Sequence, residues 1–336
     1  MEPLRIGVLG AARISEAAIV RPAHETGARL VAVAARDPER AREFARDAGV
    51  ERLLADYQAV LDDPEVEVVY NPLPNGLHGP WNLRAIAAGK HVLTEKPYAS
   101  NVDEARQVRD AAAAAGIHVI EAFHYRYHPV MNRVLELAAS GEIGDVEYVE
   151  ARMLMPPPPA GDPRWVAALA GGSLMDVGCY AVHGIRDFAD LLGGEPVPVT
   201  ARAGELPAHP GVDAWLAGDL EYPNGVMAHL ETSMTHGRWD FSLRVVGARG
   251  EVFAPAYVLP HTDDRVIVTI GTQQRTEELG RKSTYTYQLE AMARLVREGA
   301  PMPTDSDDAV TTMEVIDELY ALAGRSPHMT FEDSDA

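Results

Sequence analysis

Short apolar runs alternate with amphipathic stretches through the first 121 residues, and this rhythm limits the possible folds more than any other feature of the chain. It is typical of strands that are joined by helices in a parallel sheet. The apolar runs predict strands at 4–9, 29–34, 66–70, 91–94 and 117–120. Between the last two, Ser100 and Asp103 have capping-box spacing and Gly116 occupies a helix-stop position, which predicts a helix. This half is predicted to be a doubly wound α/β (Rossmann) domain.

The pattern changes after about residue 122, where a second domain is expected to begin. A helix at 129–140 leads to an alternating strand at 146–155 and a proline run at 156–159, and another helix is predicted at 174–192. Strand candidates within 197–277 include 214–221 and 225–232, which indicates a large and mostly antiparallel open sheet. Helices at 284–298 and 306–323 follow. We therefore expect domains at 1–122 and 123–331 with an acidic tail at 332–336, and the last helix is a candidate to pack back on the first domain.

Composition excludes several classes of function. A chain of 336 residues is long enough for two domains that share a cleft. Thirty Lys and Arg against fifty Asp and Glu give a net charge of −20, which opposes binding to nucleic acid or to an anionic membrane. The single cysteine, Cys179, excludes an internal disulfide framework, and no secretory signal or membrane-spanning run is present. These features predict a soluble, cytoplasmic protein.

A degenerate glycine-rich turn follows the first strand. It runs from Gly10 through Ala11 and Ala12 to Arg13 and Ile14. Such a turn lets a pyrophosphate approach the backbone at the start of a helix. Because only the first glycine is present, the turn alone fits a dinucleotide site and an ordinary strand-to-helix connection equally well.

The end of the second strand indicates which dinucleotide is bound. An NAD-selective site places a carboxylate there for the ribose hydroxyls, whereas this chain has Ala35 followed by Arg36. A guanidinium can bind a 2′-phosphate, so Arg36 favours NADP. The alternatives are that Arg36 pairs with Asp37 at the surface, or that Asp37 binds the ribose and permits NAD as well.

Two further segments follow strands of the same predicted sheet and are expected at its ligand-binding edge. The first contains Leu73, Pro74, Asn75 and His78, and the second contains Glu95, Lys96 and Pro97. Pro97 ends the fifth strand, so Lys96 has a fixed exit beside the predicted nicotinamide position. A surface lysine at a strand end is the alternative interpretation.

Taken together and in order, five motifs make the chain resemble the Gfo/Idh/MocA oxidoreductase family. The matching segments are Gly10-Ala11-Ala12, His78, the run from Gly89 to Pro97, Tyr125-Arg126-Tyr127-His128-Pro129, and the run from Gly171 to Tyr180. Tyr180 and the segment Tyr70–Asn75 are similar to the branch that contains glucose-fructose oxidoreductase, dimeric dihydrodiol dehydrogenase and NADP-dependent xylose dehydrogenase.

The resemblance implies a Rossmann domain followed by an α/β domain whose open sheet commonly forms a homodimer or homotetramer interface. It implies that Lys96 lies between cofactor and substrate, often before a cis proline bond, and that Arg126 belongs to the cofactor site. It also implies that Asp176 and Tyr180 are catalytic residues together with Lys96. Without the resemblance, Asp176 fits an acid in the first turn of a helix and Tyr180 fits an aromatic residue of the core.

Hydride transfer at a carbinol carbon needs a positioned acid and base. We assign that proton to Tyr180, with Lys96 polarising the oxygen and Asp176 accepting a substrate hydroxyl. Asp176 precedes Tyr180 by four residues, so both share a face of the predicted helix. The segment from Pro156 to Trp165 either walls the nicotinamide pocket, with Trp165 at the cofactor, or is a surface connection.

Two histidine spacings suggest other chemistry. Cys179 with His183 has the spacing of a nucleophile and its base, and His124 with His128 has that of two metal ligands. Neither pair has the accompanying motif, so buried or solvent-facing roles are favoured and no metal is predicted.

The favoured hypothesis is an NADP-dependent oxidoreductase acting on a sugar, polyol or cyclic diol. The alternatives are a keto-sugar reductase for a nucleotide-linked sugar, with Arg238 and Arg244 as scattered cationic candidates, and a catalytically silent NADP-binding sensor.

Overall fold

The computed structural model describes residues 2–331. The predicted acidic tail at 332–336 lies outside these residues. Within them, the first unit contains a parallel six-stranded sheet in the order β3-β2-β1-β4-β5-β6. Its strands are β1 Arg5–Leu9, β2 Arg29–Ala34, β3 Arg52–Leu53, β4 Val68–Asn71, β5 His91–Thr94 and β6 Val119–Glu121. The predicted doubly wound sheet is confirmed, and its strand order reverses between β1 and β4, where such sheets bind ligands.

Helices connect these strands. They are α1 Arg21–Thr26, which continues a π-helical turn at Glu16–Val20, α2 Pro38–Ala48, α3 Tyr57–Asp62, α4 His78–Ala87 and α5 Val102–Ala115. The cap predicted for α5 was displaced by one residue. Asn101 is the N-cap and accepts from Glu104 N, one position later than expected, while the Glu104 carboxylate accepts from Ser100 N. Gly116 ends the helix as predicted, in the left-handed conformation.

The second unit spans 124–284 and 312–329 and contains an eight-stranded sheet within the described residues. Its order is β14-β13-β12-β11-β7-β10-β9-β8. The strands are β7 Val146–Leu154, β8 Val197–Glu205, β9 Asp213–Glu221, β10 Met227–Ser233, β11 Leu243–Gly247, β12 Gly250–Ala254, β13 Arg265–Ile270 and β14 Gln273–Glu278. Strands β7 and β10 pair in parallel, and the other neighbours are antiparallel.

Helix α6 Pro129–Ala139 and helix α7 Cys179–Arg186 pack on this sheet. The helix predicted at 174–192 is divided into a π-helical turn at Leu174–Gly178, then α7, then α8 Ala189–Leu192. Gly178 lies against β10, since a Cβ there would be 3.0 Å from Thr232 Cγ2. The wide turn and this close approach explain why the segment is not a uniform α-helix.

Helix α9 Thr284–Glu298 and the start of α10 Ser306–Leu322 belong to the first unit, which includes Tyr285–Thr311. The Thr286 hydroxyl donates to Glu25 at 2.6 Å, and the Thr304 hydroxyl donates to the Glu121 carbonyl oxygen at 2.8 Å. Residues 123–331 were expected in the second domain, with the last helix as a candidate to pack back on the first. These long-range hydrogen bonds, which no local pattern encodes, place the segment with the first unit instead. No helix in 2–331 combines the length and apolar character needed to span a membrane.

Candidate active site

The turn after β1 provides a backbone that lacks a side chain where a phosphate would approach. Gly10 has φ +92°, donates its N–H to the Ala34 carbonyl oxygen at 2.7 Å, and has Leu73 Cδ2 only 3.3 Å from the position of a Cβ. A larger residue would be strained in this conformation. Of the other predicted residues in the turn, Ala12 is half-buried, while Arg13 and Ile14 are exposed.

Two arginines follow β2 at the same edge. Arg36 is exposed and forms no ion pair with Asp37, because the Asp37 carboxylate caps α2 by accepting from Glu39 N and Arg40 N. Arg40, which the sequence analysis missed, donates to the Ala11 carbonyl oxygen at 2.7 Å and so joins α2 to the glycine turn. A cradle at Gly10 with exposed guanidinium groups beside it fits a dinucleotide that carries an additional phosphate on its adenosine.

His78 holds together the two segments that follow β4 and β5. Its buried ring places Nδ1 2.6 Å from the Pro97 carbonyl oxygen and Nε2 2.7 Å from the Leu73 carbonyl oxygen. Burial lowers the pKa of His78 to about 4, so the ring is neutral at pH 7 and donates one hydrogen bond at a time. The geometry makes His78 a brace between loops, since both ring nitrogens already contact the backbone.

Lys96 is half-buried where β5 ends, and the Lys96–Pro97 peptide bond is cis. The preceding residue, Glu95, is buried and accepts a hydrogen bond from the Tyr70 hydroxyl at 2.8 Å. Burial, with the Glu95 carboxylate nearby, raises the pKa of Tyr70 well above its ordinary value. Pro74 and Asn75 lead into a 3₁₀ turn at Asn75–Leu77, next to the His78 brace. The predicted residues of these two segments therefore form one connected edge.

In the second unit, Asp176 is paired with a residue that the sequence analysis did not select. Arg164 Nε donates to Asp176 Oδ2 at 2.6 Å, and Arg164 Nη1 lies 3.3 Å from both carboxylate oxygens of Asp162. Both carboxylates are buried, whereas the arginine side chain is 36% exposed. The Asp176 carboxylate raises the pKa of the Arg164 guanidinium. Arg164 thus fixes one oxygen of Asp176.

The segment that precedes Asp176 is held by a buried carboxylate, Asp213. Asp213 Oδ2 accepts from Ser173 Oγ and from Leu174 N, each at 2.8 Å, and Oδ1 accepts from the Tyr320 hydroxyl at 2.8 Å. A Cβ at Gly172 would lie 2.1 Å from Asp213 Oδ1. A Cβ at Gly171 would lie 2.5 Å from the Arg164 carbonyl oxygen. Two consecutive glycines are therefore required for the chain to reach Asp213.

Tyr180, the second residue of α7, is 6% exposed. Its hydroxyl lies 3.1 Å from His124 Nε2, and its carbonyl oxygen accepts from the Tyr257 hydroxyl at 2.8 Å. Asp176 and Tyr180, which were predicted to share a helix face, lie on the π-helical turn and on α7 respectively.

The other two residues predicted for the cofactor have partners within the second unit. Arg126 Nε donates to Asp187 Oδ1 at 2.6 Å, and Arg126 Nη1 donates to Asn132 Oδ1 at 3.1 Å. Trp165 is buried, donates its indole N–H to the Pro158 carbonyl oxygen at 3.3 Å, and stacks on His209 with ring centroids 4.5 Å apart. Trp165 therefore anchors the loop that follows β7.

The histidine pairs have structural partners, as the favoured interpretation expected. The buried Cys179 thiol donates to the Asp176 carbonyl oxygen, and His183 Nδ1 lies 2.5 Å from the Tyr125 hydroxyl. His128 caps α6, with Nδ1 accepting from Val130 N at 3.2 Å, and burial lowers its pKa to about 4. Over residues 2–331, no group of three or more His, Cys, Asp or Glu is placed to hold a metal ion.

Two family models match the chain. Residues 4–123 match a model described as oxidoreductase family, NAD-binding Rossmann fold. Residues 131–253 match a model of the GFO/IDH/MocA C-terminal domain.

Individual relatives match over most of the chain. D-xylose 1-dehydrogenase (NADP(+)) 2 of Haloferax volcanii is 36% identical over 95% of this chain and 97% of its own length. Trans-1,2-dihydrobenzene-1,2-diol dehydrogenase of Sus scrofa is 33% identical over 74% of this chain and 72% of its own. A solved 3-ketoreductase of Actinomadura kijaniata, in complex with NADP and TDP-benzene, is 28% identical with a TM-score of 0.88, covering 95% of this chain and 98% of that one.

Proposed function

Because the chain belongs to the Gfo/Idh/MocA family of NAD(P)-dependent oxidoreductases, we propose that it transfers a hydride between NADP and a secondary alcohol or carbonyl of a sugar, polyol or cyclic diol. The main support for this proposal is the position of Lys96, whose half-buried ammonium lies at the carboxyl end of β5. It is flanked by the Tyr70–Glu95 hydrogen bond and by the His78–Pro97 contact. A lysine held in this way suits a role at the reacting oxygen rather than at the surface.

In this proposal the cofactor, when bound, supplies or accepts the hydride at its nicotinamide ring. Gly10 admits the pyrophosphate, and Arg36 with Arg40 binds the 2′-phosphate. Lys96 donates a hydrogen bond to the substrate oxygen, and Tyr180 takes or returns its proton. Asp176 orients a neighbouring hydroxyl. The pairing of Lys96 with Tyr180 rests on the family resemblance and on the chemistry of the two groups.

The test of this function is a panel of aldoses, ketoses and cyclic diols, assayed for formation or loss of reduced nicotinamide with NADP and, separately, with NAD. Turnover of at least one member, faster with NADP, is expected. Absence of turnover with every member and both cofactors contradicts the proposal.

The two arginines after β2 are expected to determine the preference for NADP. Arg36→Ala or Arg40→Ala is expected to weaken NADP binding by about 10- to 100-fold, because each removes a charge-assisted hydrogen bond of about 1.5–3 kcal/mol. NAD binding is expected to change less than about threefold, since NAD lacks that phosphate. Fluorescence titration with both cofactors measures this.

The matched control is Arg42→Ala, because Arg42 is an exposed arginine on α2 that pairs with Glu39. Its NADP affinity should be unchanged. Equal loss of NADP and NAD binding in the Arg36 or Arg40 variant contradicts a 2′-phosphate role and indicates damage to the turn instead.

Arg164 is expected to act through Asp176. Arg164→Met leaves the Asp162 and Asp176 carboxylates without their shared cation, so kcat/KM for a polyol is expected to fall by about 10- to 100-fold, the size of one charge-assisted hydrogen bond. NADP affinity should be unaffected. Arg164→Lys keeps the charge but lacks the planar guanidinium that contacts both carboxylates, so it should lose less activity than Arg164→Met. Unchanged kcat/KM in Arg164→Met contradicts the role of Asp176 as the orienting group.

A keto-sugar reductase for a nucleotide-linked sugar is the second candidate, favoured by relatives of that type. A dTDP-3,4-didehydro-2,6-dideoxy-alpha-D-glucose 3-reductase of Saccharopolyspora spinosa is 31% identical over 89% of this chain. Arg244, one of the two cations considered for the nucleotide, pairs with Glu251. Arg238 lies beside Trp239, which is 60% exposed. A dTDP-linked keto-sugar in the panel separates the two functions.

The catalytically silent sensor has no support, since the relatives are dehydrogenases and reductases.

Self-association through the open sheet belongs to the same proposal. Helices α6 and α7 pack on the second unit's sheet. Side chains that alternate with its buried residues include Tyr148, Glu150 and Arg152 on β7 and the exposed Trp215 on β9. A homodimer or homotetramer would cover such a mixed surface.

A further inference from the structure

A buried histidine lies directly behind the tyrosine of the proposed site. His124 Nε2 is 3.1 Å from the Tyr180 hydroxyl, and the two rings meet edge to face with centroids 5.7 Å apart. His124 is 1% exposed and Tyr180 is 6% exposed. The two residues are 56 positions apart in the sequence, so the contact is a product of the tertiary fold. A polar contact this deeply buried needs a structural or chemical reason.

Both members of the pair are fixed by their surroundings. His124 begins a 3₁₀ turn at His124–Tyr127, and the next residue, Tyr125, donates its hydroxyl to Asp187 at 2.9 Å. Tyr180 is held through its carbonyl oxygen by Tyr257. The rings of Tyr125 and Tyr180 also meet edge to face, with centroids 6.0 Å apart. These contacts hold the residue next to His124 and the backbone of Tyr180 in place.

We propose that His124 is a positioning residue that takes up the proton of Tyr180 when the substrate is oxidised and gives one to Tyr180 when the substrate is reduced. This rests on the proposed function, in which Tyr180 exchanges a proton with the substrate oxygen. In the oxidation direction the substrate O–H bond breaks and its proton passes to Tyr180 Oη. The phenol's own proton moves to His124 Nε2 and is released to water after the oxidised product leaves, and the electron pair of the carbinol C–H bond leaves as hydride to NADP, which is reduced. In reduction every transfer is reversed.

The physical reason is the cost of a buried phenolate. Tyrosine has an ordinary pKa near 10, so a lone buried phenol is a poor proton acceptor at neutral pH. An imidazole can accept a proton at one nitrogen while the other nitrogen already carries one. With His124 in contact, the tyrosine passes a proton along without holding a full charge. The two protons therefore move in the same step, and the developing charge is shared between the phenol and the imidazole.

Other ionisable groups surround the pair and must remain unchanged in any test. They are Tyr125, His183 and Asp187, which form a hydrogen-bonded cluster next to Tyr180, together with Arg126 on Asp187 and Tyr257 on the Tyr180 backbone. Burial raises the pKa of Tyr125 and of Tyr257 well above their ordinary values.

The test uses His124→Gln and His124→Asn in the full chain with a substrate from the panel. Glutamine places a polar atom where Nε2 lies but cannot take up a proton, and asparagine is too short to reach Tyr180. Each is expected to lower kcat by about 10- to 100-fold, within the range of general acid–base catalysis, with KM changed less than about threefold. The solvent isotope effect on kcat should depend on deuterium fraction quadratically in the wild type and linearly in both variants.

His128→Asn is the matched control, because it replaces another buried histidine while asparagine can still cap α6. It should keep the quadratic dependence. A linear dependence in the wild type, or a quadratic one in His124→Gln, overturns the relay, even if kcat falls. If glutamine prevents folding, the asparagine variant decides by the same criterion. A wild type that turns over no substrate overturns the proposed function itself, which is a different result from an active wild type whose variants are unaltered.

Discussion

Lys96→Met and Tyr180→Phe are each expected to lower kcat by about 10²- to 10⁴-fold, the loss typical of removing a positioned acid or base. Methionine keeps the length and apolar stem of the lysine but has no ammonium to polarise the substrate oxygen. Phenylalanine keeps the ring of the tyrosine but has no exchangeable proton. Because neither change touches Gly10 or Arg36, NADP affinity should stay within about threefold of the wild type, less than the loss of one charged hydrogen bond. Steady-state kinetics and cofactor titration on the same preparations measure the two quantities.

The controls are a second lysine and a second tyrosine. Lys90→Met removes an ammonium that donates to the Asp63 and Val66 carbonyl oxygens at the opposite end of β5, so it should lower stability but not kcat of the folded enzyme. Tyr148→Phe changes a half-buried tyrosine on β7 and should be neutral. Turnover that survives in both Lys96→Met and Tyr180→Phe contradicts the proposed acid–base pair. Loss of NADP binding in either indicates a structural effect.

The second large effect is expected on stability. Gly172→Ala should destabilise the fold by about 3 kcal/mol or more, because strained backbone costs about 1–3 kcal/mol and an unrelieved clash adds to it. Gly172 has φ +147°, and its Cβ would lie 2.1 Å from Asp213 Oδ1 and 3.1 Å from the Tyr320 hydroxyl. Relief of the clash would break the hydrogen bonds that hold Ser173 and Leu174. Urea unfolding of wild type and variant gives the difference in free energy of unfolding.

Gly141→Ala separates the two causes, since Gly141 has φ +74° but no atom within 4 Å of a Cβ. It should show only the conformational cost, of order 1 kcal/mol. If Gly172→Ala costs no more than Gly141→Ala, the contact with Asp213 does not constrain the segment. Residual folded Gly172→Ala should also have a reduced kcat, because the same hydrogen bonds hold the turn that carries Asp176.

The first sheet could be predicted because its information is local. Each strand is a short apolar run, and the residues that follow β1, β2, β4 and β5 lie at one edge by topology alone. Gly10, Arg36 and Lys96 could therefore be selected before any coordinates. Arg40 was missed although a signal exists: it lies three residues after the helix-capping Asp37, on the first turn of α2, which faces the glycine turn.

The supporting residues of the second unit carried no comparable signal. Arg164 meets Asp176 because a loop folds back over 12 positions, and Asp213 meets Ser173 across 40. His124 contacts Tyr180 across 56 positions in the sequence. Its spacing from His128 had suggested a pair of metal ligands instead. No periodicity relates such residues, because the sheet and the loops decide which side chains meet. The glycines at 171 and 172 were matched as part of a motif, but the reason for them appears only when Asp213 is in place.

The grouping of α9 with the first 123 residues has a consequence for biosynthesis. Residues 124–284 leave the ribosome before Tyr285–Thr311, so the nascent nucleotide-binding unit waits for its last helix while the whole central stretch is made. At ordinary translation rates of about 5–20 residues per second, that interval is roughly 10 to 30 s. During it, the groups that later contact α9, such as Glu25 and the backbone of Pro3, have no partner there. Chaperone engagement or premature termination within this window would act on an incomplete domain, and a fragment that stops at Phe123 would lack every contact that α9 makes with this unit.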